Sequence, residues 1–162
     1  MIAALKRTPV IWGLFIAQLL IFPAFALFSD AVGGRYLDTI TTGEGCRALI
    51  AGMTEAQRSA HFWLTVLLDT AYPLAYGGFF AAMALRFFGR FGPIAALPAL
   101  ATIIVDLTEN TVQALALSGA ADALDAKSWL TPLKFGLFFL AAAIALVALV
   151  IAMAHLFQKR KA

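Results

Sequence analysis

Charge is scarce in this chain and cysteine almost absent, and each shortage excludes a class of protein. Charged residues make up only 13% of the 162 positions, while 62% are hydrophobic and the mean hydropathy is +0.89. Soluble domains carry roughly 25% charge, so the chain belongs among integral membrane proteins. Its one cysteine, Cys46, rules out an intramolecular disulfide. The surrounding Gly43-Glu44-Gly45-Cys46 carries neither a lipid-attachment nor a metal motif, so Cys46 reads as a loop thiol. No zinc-ligand spacing, Gly-rich phosphate loop, nucleophile motif or redox cysteine pair is present. No soluble domain, low-complexity tract or fixed-period repeat appears either.

What remains is apolar sequence in long runs. Four runs meet the ~20-residue length of a spanning helix: Thr8 to Phe28, His61 to Leu85, Ile94 to Leu117, and Trp129 to Phe157. The expected fold is all-α, a single four-span membrane bundle with a long outer loop from Ser29 to Ala60. Pro23 is expected to kink the first span, and Gln18 is either a bundle contact or a site residue. Lys6-Arg7, the apolar run and Ala24-Phe25-Ala26 resemble a secretory signal. The run continues through Leu27 and Phe28, so a retained first helix is expected.

Charge placement gives the topology. Lys6, Arg7, Arg86, Arg90, Lys159, Arg160 and Lys161 flank the spans on one side, with no acid among them. The opposite loops hold Arg35, Arg47, Arg58 and Lys127 against Asp30, Asp38, Glu44, Glu55, Asp122 and Asp125. The positive-inside rule puts both termini in the cytoplasm and both acidic loops outside. The net charge of +3 is thus a topology signal, and no nucleic-acid partner is inferred.

The outer loop, with Tyr36, Leu37, Leu49, Ile50 and Met53, is expected to fold back over the bundle mouth, and Thr54-Glu55 to cap the second helix. His61 lies at that mouth, either as a proton shuttle or as an interfacial residue. Gly77-Gly78 and the alanines of Ala141 to Ala145 permit close helix packing.

Four ionisable residues interrupt the apolar runs: Asp69, Asp106, Glu109 and Lys134. Such a group within a bilayer costs roughly 2.5–3.5 kcal/mol on insertion scales, which makes it a functional-site hypothesis. Thr65, Asp69, Tyr72, Pro73 and Tyr76 form one helical stripe; Thr102, Asp106, Glu109, Asn110 and Gln113 repeat its offsets on the next span. Thr131, Lys134, Phe135 and Phe138 share a face of the last. At about 1.5 Å per residue, Asp69 and Glu109 lie roughly 12 Å below the outer surface, Asp106 near the midplane, and Lys134 roughly 8 Å down. One shared site in the outer half follows, with Asp69, Tyr72, Tyr76, Asp106, Glu109, Asn110, Gln113 and Lys134 as candidate ligand- or ion-binding residues. Three carboxylates against one ammonium would leave an excess of two negative charges. A proton, a cation or water must relieve it, and Asp106, taken as the acid farthest from Lys134, is the expected proton holder.

The segments Asp69-Thr70-Ala71-Tyr72-Pro73-Leu74-Ala75-Tyr76, Asp106-Leu107-Thr108-Glu109-Asn110 and Thr131-Pro132-Leu133-Lys134 resemble an uncharacterised family of small four-span bacterial membrane proteins. That likeness implies a multi-pass protein of the bacterial inner membrane and carries no activity. The architecture is also similar to the emopamil-binding, sigma-2-receptor-like group, with a long first outer loop, a proline near the second-span acid and an enclosed amphiphile pocket. Asp106 and Glu109 together, and Lys134 in the last span, depart from that group, so no catalytic residue is carried over.

Three functions stay open. The first is a binding site for a lipid, an amphiphile, a proton or a cation. Oxygen donors suit Na⁺ or Ca²⁺ better than zinc, but Lys134 argues against a resident metal and favours a proton or an organic cation. The second is acid–base catalysis on a lipid or isoprenoid. The third is a non-catalytic subunit of a homo-oligomer or larger membrane complex.

Overall fold

The computed structural model describes residues 2–159, so Arg160 and Lys161 of the basic tail lie outside the described residues. Five helices carry the architecture: α1 (Thr8–Leu27), α2 (Gly43–Ala51), α3 (residues 55–87), α4 (Leu97–Ser118) and α5 (Lys127–Lys159). Among the described residues there is no strand. Thr8–Leu27, Gly89–Ser118 and Leu124–Gln158 are long and apolar enough to cross a membrane. The second expected span falls on α3, which is not among them. Asp69, Tyr72, Pro73 and Tyr76 dilute its apolar character. That helix also begins at Glu55, before His61, and α5 begins at Lys127, before Trp129.

Local signals set these ends. Thr54 and Gln57 form a reciprocal capping box at the start of α3, satisfying two otherwise orphaned donors. Gly119 adopts the left-handed conformation (φ +75°) that closes α4. Arg58 of α3 donates to the Leu117 and Ala116 carbonyls at 2.5 and 3.2 Å, so a cation meets the negative end of α4. Pro23 lies inside α1, which runs through it.

α3 lies at the centre, packed on α1, α4 and α5, while α4 and α5 pack along each other. Small residues allow the close approaches. Ala81, Ala84, Ala96, Ala99 and Ala141 are buried together, and a Cβ at Gly77 would run into Ile103 of α4. α1 rests on α3 and makes little contact with α5, which leaves a gap between α1 and α5.

The loop between α1 and α3 folds onto the C-terminal end of α4 and the N-terminal end of α5. Leu37 and Cys46 are buried with Val112, Leu117, Leu124 and Leu130, and Ile40, Leu49, Ile50 and Met53 pack against them. Arg47 of α2 grips Asp122 and Asp125 of the α4–α5 turn at 2.6 and 2.9 Å. His61 is buried beneath the loop, where its Nε2 accepts from the Leu37 N–H at 3.5 Å and its ring meets Tyr36 edge-on. That contact ties the histidine to the loop.

Candidate functional site

The site begins with a break in helical regularity. Residues Thr65–Asp69 of α3 form a single π turn, a distortion often found at functional sites. Four residues beyond Asp69 stands Pro73, which has no N–H to bond the Asp69 carbonyl. Asn110 of α4 supplies the missing donor, its Nδ2 reaching Asp69 O at 2.7 Å. The proline and asparagine together fix the height of Asp69 against α4.

On α4, Thr102, Asp106, Glu109, Asn110 and Gln113 are all buried, as are Lys127, Thr131 and Lys134 on α5. Lys134 Nζ lies 2.7 Å from Glu109 Oε2, 2.9 Å from Asp38 Oδ1 and 3.6 Å from Asp106 Oδ1. The other Glu109 oxygen accepts from Lys127 Nζ, and from Thr131 Oγ1 at 2.5 Å. Tyr76 donates its hydroxyl to Asp106 Oδ2 at 2.6 Å.

Asp38 enters from the α1–α3 loop on the short 3-10 turn Leu37–Thr39. Besides Lys134, it accepts from Gln113 Nε2 at 2.8 Å. Burial pushes the Asp38 carboxyl up, yet the Lys134 charge and its hydrogen bond outweigh it and hold it well below the usual carboxylate range.

Several expectations change here. Among the described residues no ammonium lies within salt-bridge range of Asp69, whereas Lys134 reaches Asp106. The acid remote from lysine is therefore Asp69, not Asp106, because α4 turns Asp106 toward α5. Lys127 is not a loop charge: it sits one helical turn before Thr131, wholly buried on the stripe that holds Lys134. Extending that stripe backwards by one turn would have found it. No local signal marks Asp38, whose place depends on how the loop folds. Four acids and two lysines now make up the cluster, and with every group ionised 4 − 2 would leave the same excess of two negative charges.

Asp38, Asp69, Tyr72, Tyr76, Asp106 and Lys134 line a cavity of about 330 Å³ at the end of the α1–α5 gap nearest the α1–α3 loop. Phe22, Phe25, Tyr36, Phe135 and Phe138 complete much of its wall. Glu109, Asn110 and Gln113 stand behind that wall, supporting it without lining it. Gln18, half-buried on α1, is not part of the lining. Asp38, Asp106 and Glu109 each bring an oxygen within 4.8 Å of the others, close enough to hold a metal ion. Lys134 Nζ lies within 3.6 Å of all three carboxyl groups, so a side-chain cation serves them already. Asn110 Oδ1 and Gln113 Oε1 are buried acceptors with no protein partner among the described residues. Comparison with protein-family models, curated proteins and solved structures returns no match.

Proposed function

We propose that this chain is a four-span inner-membrane protein, termini in the cytoplasm, whose outer-half cavity binds an amine-bearing amphiphile. The observation that carries the reading is the make-up of the cavity wall: three acids, one lysine and seven aromatic rings around about 330 Å³. Aromatic faces attract organic cations, and the carboxylate excess supplies the charge that a cation would balance. The volume falls within the ~300–1,000 Å³ of small-molecule pockets. Glu109 is already served by Lys127 and Lys134, which leaves Asp69 and Asp106 as the acids that receive an incoming amine. Phe22 on α1 and Phe135 on α5 are exposed, so an apolar tail has a sideways route between these helices to lipid.

A four-span topology accords with the surviving loop charges. With Asp38 and Lys127 withdrawn into the bundle, the outer loops keep Arg35, Arg47 and Arg58 against Asp30, Glu44, Glu55, Asp122 and Asp125. The acidic balance is unchanged in sign.

The test is a titration of the purified chain, in a non-ionic detergent, with dodecyltrimethylammonium and with the uncharged dodecanol. The cation should raise the melting temperature and dodecanol should not. Asp106→Asn, which keeps an acceptor for Tyr76, should weaken the cation response about tenfold, the factor for a ~1.4 kcal/mol loss. An equal response to both probes would sink the reading.

A further inference from the structure

The larger cavity lies at the other end of the α1–α5 gap and has the opposite electrical character. It measures about 600 Å³ and is walled by Ile11, Trp12, Phe15, Phe79, Leu149 and Leu156, among others. Arg86 and Thr8 stand at its end, and no acidic side chain is in the lining. Arg86 is held there by its own Nη1, which donates to the Lys6 carbonyl at 3.2 Å and to Thr8 Oγ1 at 2.8 Å. Among the described residues it has no carboxylate partner. The sequence has no Asp or Glu in residues 1–29, 70–105 or 126–162, which include every lining residue of this cavity. Lys6 and Arg7 precede α1, and Arg90 sits in the α3–α4 turn.

We propose that this groove is a binding site for one anionic glycerophospholipid of the inner leaflet, its phosphate at Arg86 and an acyl chain between α1 and α5. Length and charge both select this occupant. From Thr8 to Phe15 the wall rises by about 10 Å, from the headgroup level into the leaflet. The wall is apolar along that path, and Trp12, 57% exposed, is the type of residue that settles at the membrane interface. A helix of a partner or of a second copy would satisfy the apolar wall but leave Arg86, Lys6 and Arg7 without a counter-charge. A phospholipid satisfies both. Basic residues near the cytoplasmic surface attract anionic lipid at roughly 1 kcal/mol each. This inference rests on the membrane reading above and is independent of what occupies the outer cavity.

Native mass spectrometry of the full chain, released from detergent supplemented with dioleoylphosphatidylglycerol or dioleoylphosphatidylcholine, tests it. One phosphatidylglycerol should be retained in preference to phosphatidylcholine, and millimolar inorganic phosphate should not displace it. Arg86→Gln should weaken retention about fivefold, and Arg86→Lys should keep most of it. Ala152→Phe fills the groove and should abolish retention while the response to dodecyltrimethylammonium at the outer cavity persists. Leu149→Trp, at an exposed position on the groove lip, gives the same readout with no demand on the core. Equal retention of both lipids, or retention unaffected by both groove-filling variants, would overturn the proposal. So would a dimer that these variants disperse, since the groove would then hold a second copy.

Discussion

Lys127 and Glu109 form an ion pair in which both side chains are completely withdrawn from solvent. The pair joins the first turn of α5 to the middle of the polar stripe on α4, and Thr131 and Lys134 bond the same carboxylate. Glu109 is thus the hub of the cluster, although it does not line the cavity.

Removing one partner of such a pair leaves an uncompensated buried charge and typically costs about 3–5 kcal/mol. Lys127→Met leaves Glu109 its contact with Lys134 at 2.7 Å, so the loss, measured as melting in detergent, should stay below that figure. Lys127→Met with Glu109→Gln should be less destabilised than Lys127→Met alone, because Lys134 then serves two nearby carboxylates and not three. A double variant less stable than either single variant would show that the pair is not the relevant unit.

Lys134 serves three acids at once, so its removal should create a cation site. In Lys134→Met, Asp38, Asp106 and Glu109 keep oxygens within 4.8 Å of one another, and the ammonium that remains, Lys127, holds only Glu109, through Oε1. Ca²⁺, a hard cation bound by oxygen, should stabilise this variant in a concentration-dependent way and leave the wild-type melting temperature unchanged. The stabilisation expected at 100 times the dissociation constant is about 2.7 kcal/mol. Identical melting of the variant with Ca²⁺ and with chelator would contradict the prediction.

Cys46 is fully buried, its thiol facing the Ile40 carbonyl, so it is a poor reporter of loop topology. A membrane-impermeant thiol reagent should leave it unmodified in intact cells. Ala123→Cys, in the exposed α4–α5 turn, should react from outside. Labelling of Ala123→Cys only after lysis would reverse the orientation.

The Arg47 clamp predicts an acid-sensitive contribution. Hydrogen bonds from Arg47 hold the Asp122 and Asp125 carboxyls below their ordinary value of 3.8. A depressed folded-state pKa stabilises the fold above the unfolded value, and that contribution is lost as pH falls through the folded value. The melting difference between wild type and Arg47→Gln should be constant between pH 5 and 7, about one unit and more above that value. It should shrink below pH 3.8. High salt should shrink it at every pH, since these carboxylates are exposed. A difference that grows on acidification would show that Arg47 acts through packing.

The contact of Gly77 with α4 gives a packing test. Gly77 faces Ile103 with no room for a Cβ, so Gly77→Ala should push α3 from α4 and cost about 1–3 kcal/mol. Ile103→Val in the same chain should recover part of the loss. Full tolerance of Gly77→Ala would mean that the two helices are free to separate.

The sequence by itself determined the elements and the identity of most polar groups. Long apolar runs specify helices because lipid offers no partner for backbone N–H and C=O groups. The 3.6-residue period then put Asp69 and Tyr76 on one stripe, and Asp106, Glu109 and Gln113 on another. Thr54 marked the start of the second helix through local chemistry, while its partner Gln57 and the left-handed Gly119 came from the structure. Tertiary structure decided which acid each lysine serves. The apolar run placed the start of α5 at Trp129, so Lys127 read as a loop charge until the extra half-turn carried it under Glu109. Asp38 could not be read at all, because a loop residue reaches the bundle only through the fold of the whole loop, anchored by Leu37 on His61. The two cavities were equally hidden, since a gap between α1 and α5 is a property of packing. Periodicity fixes which face of a helix is polar, whereas the partner of that face depends on how four helices and a loop divide the same few charges among them.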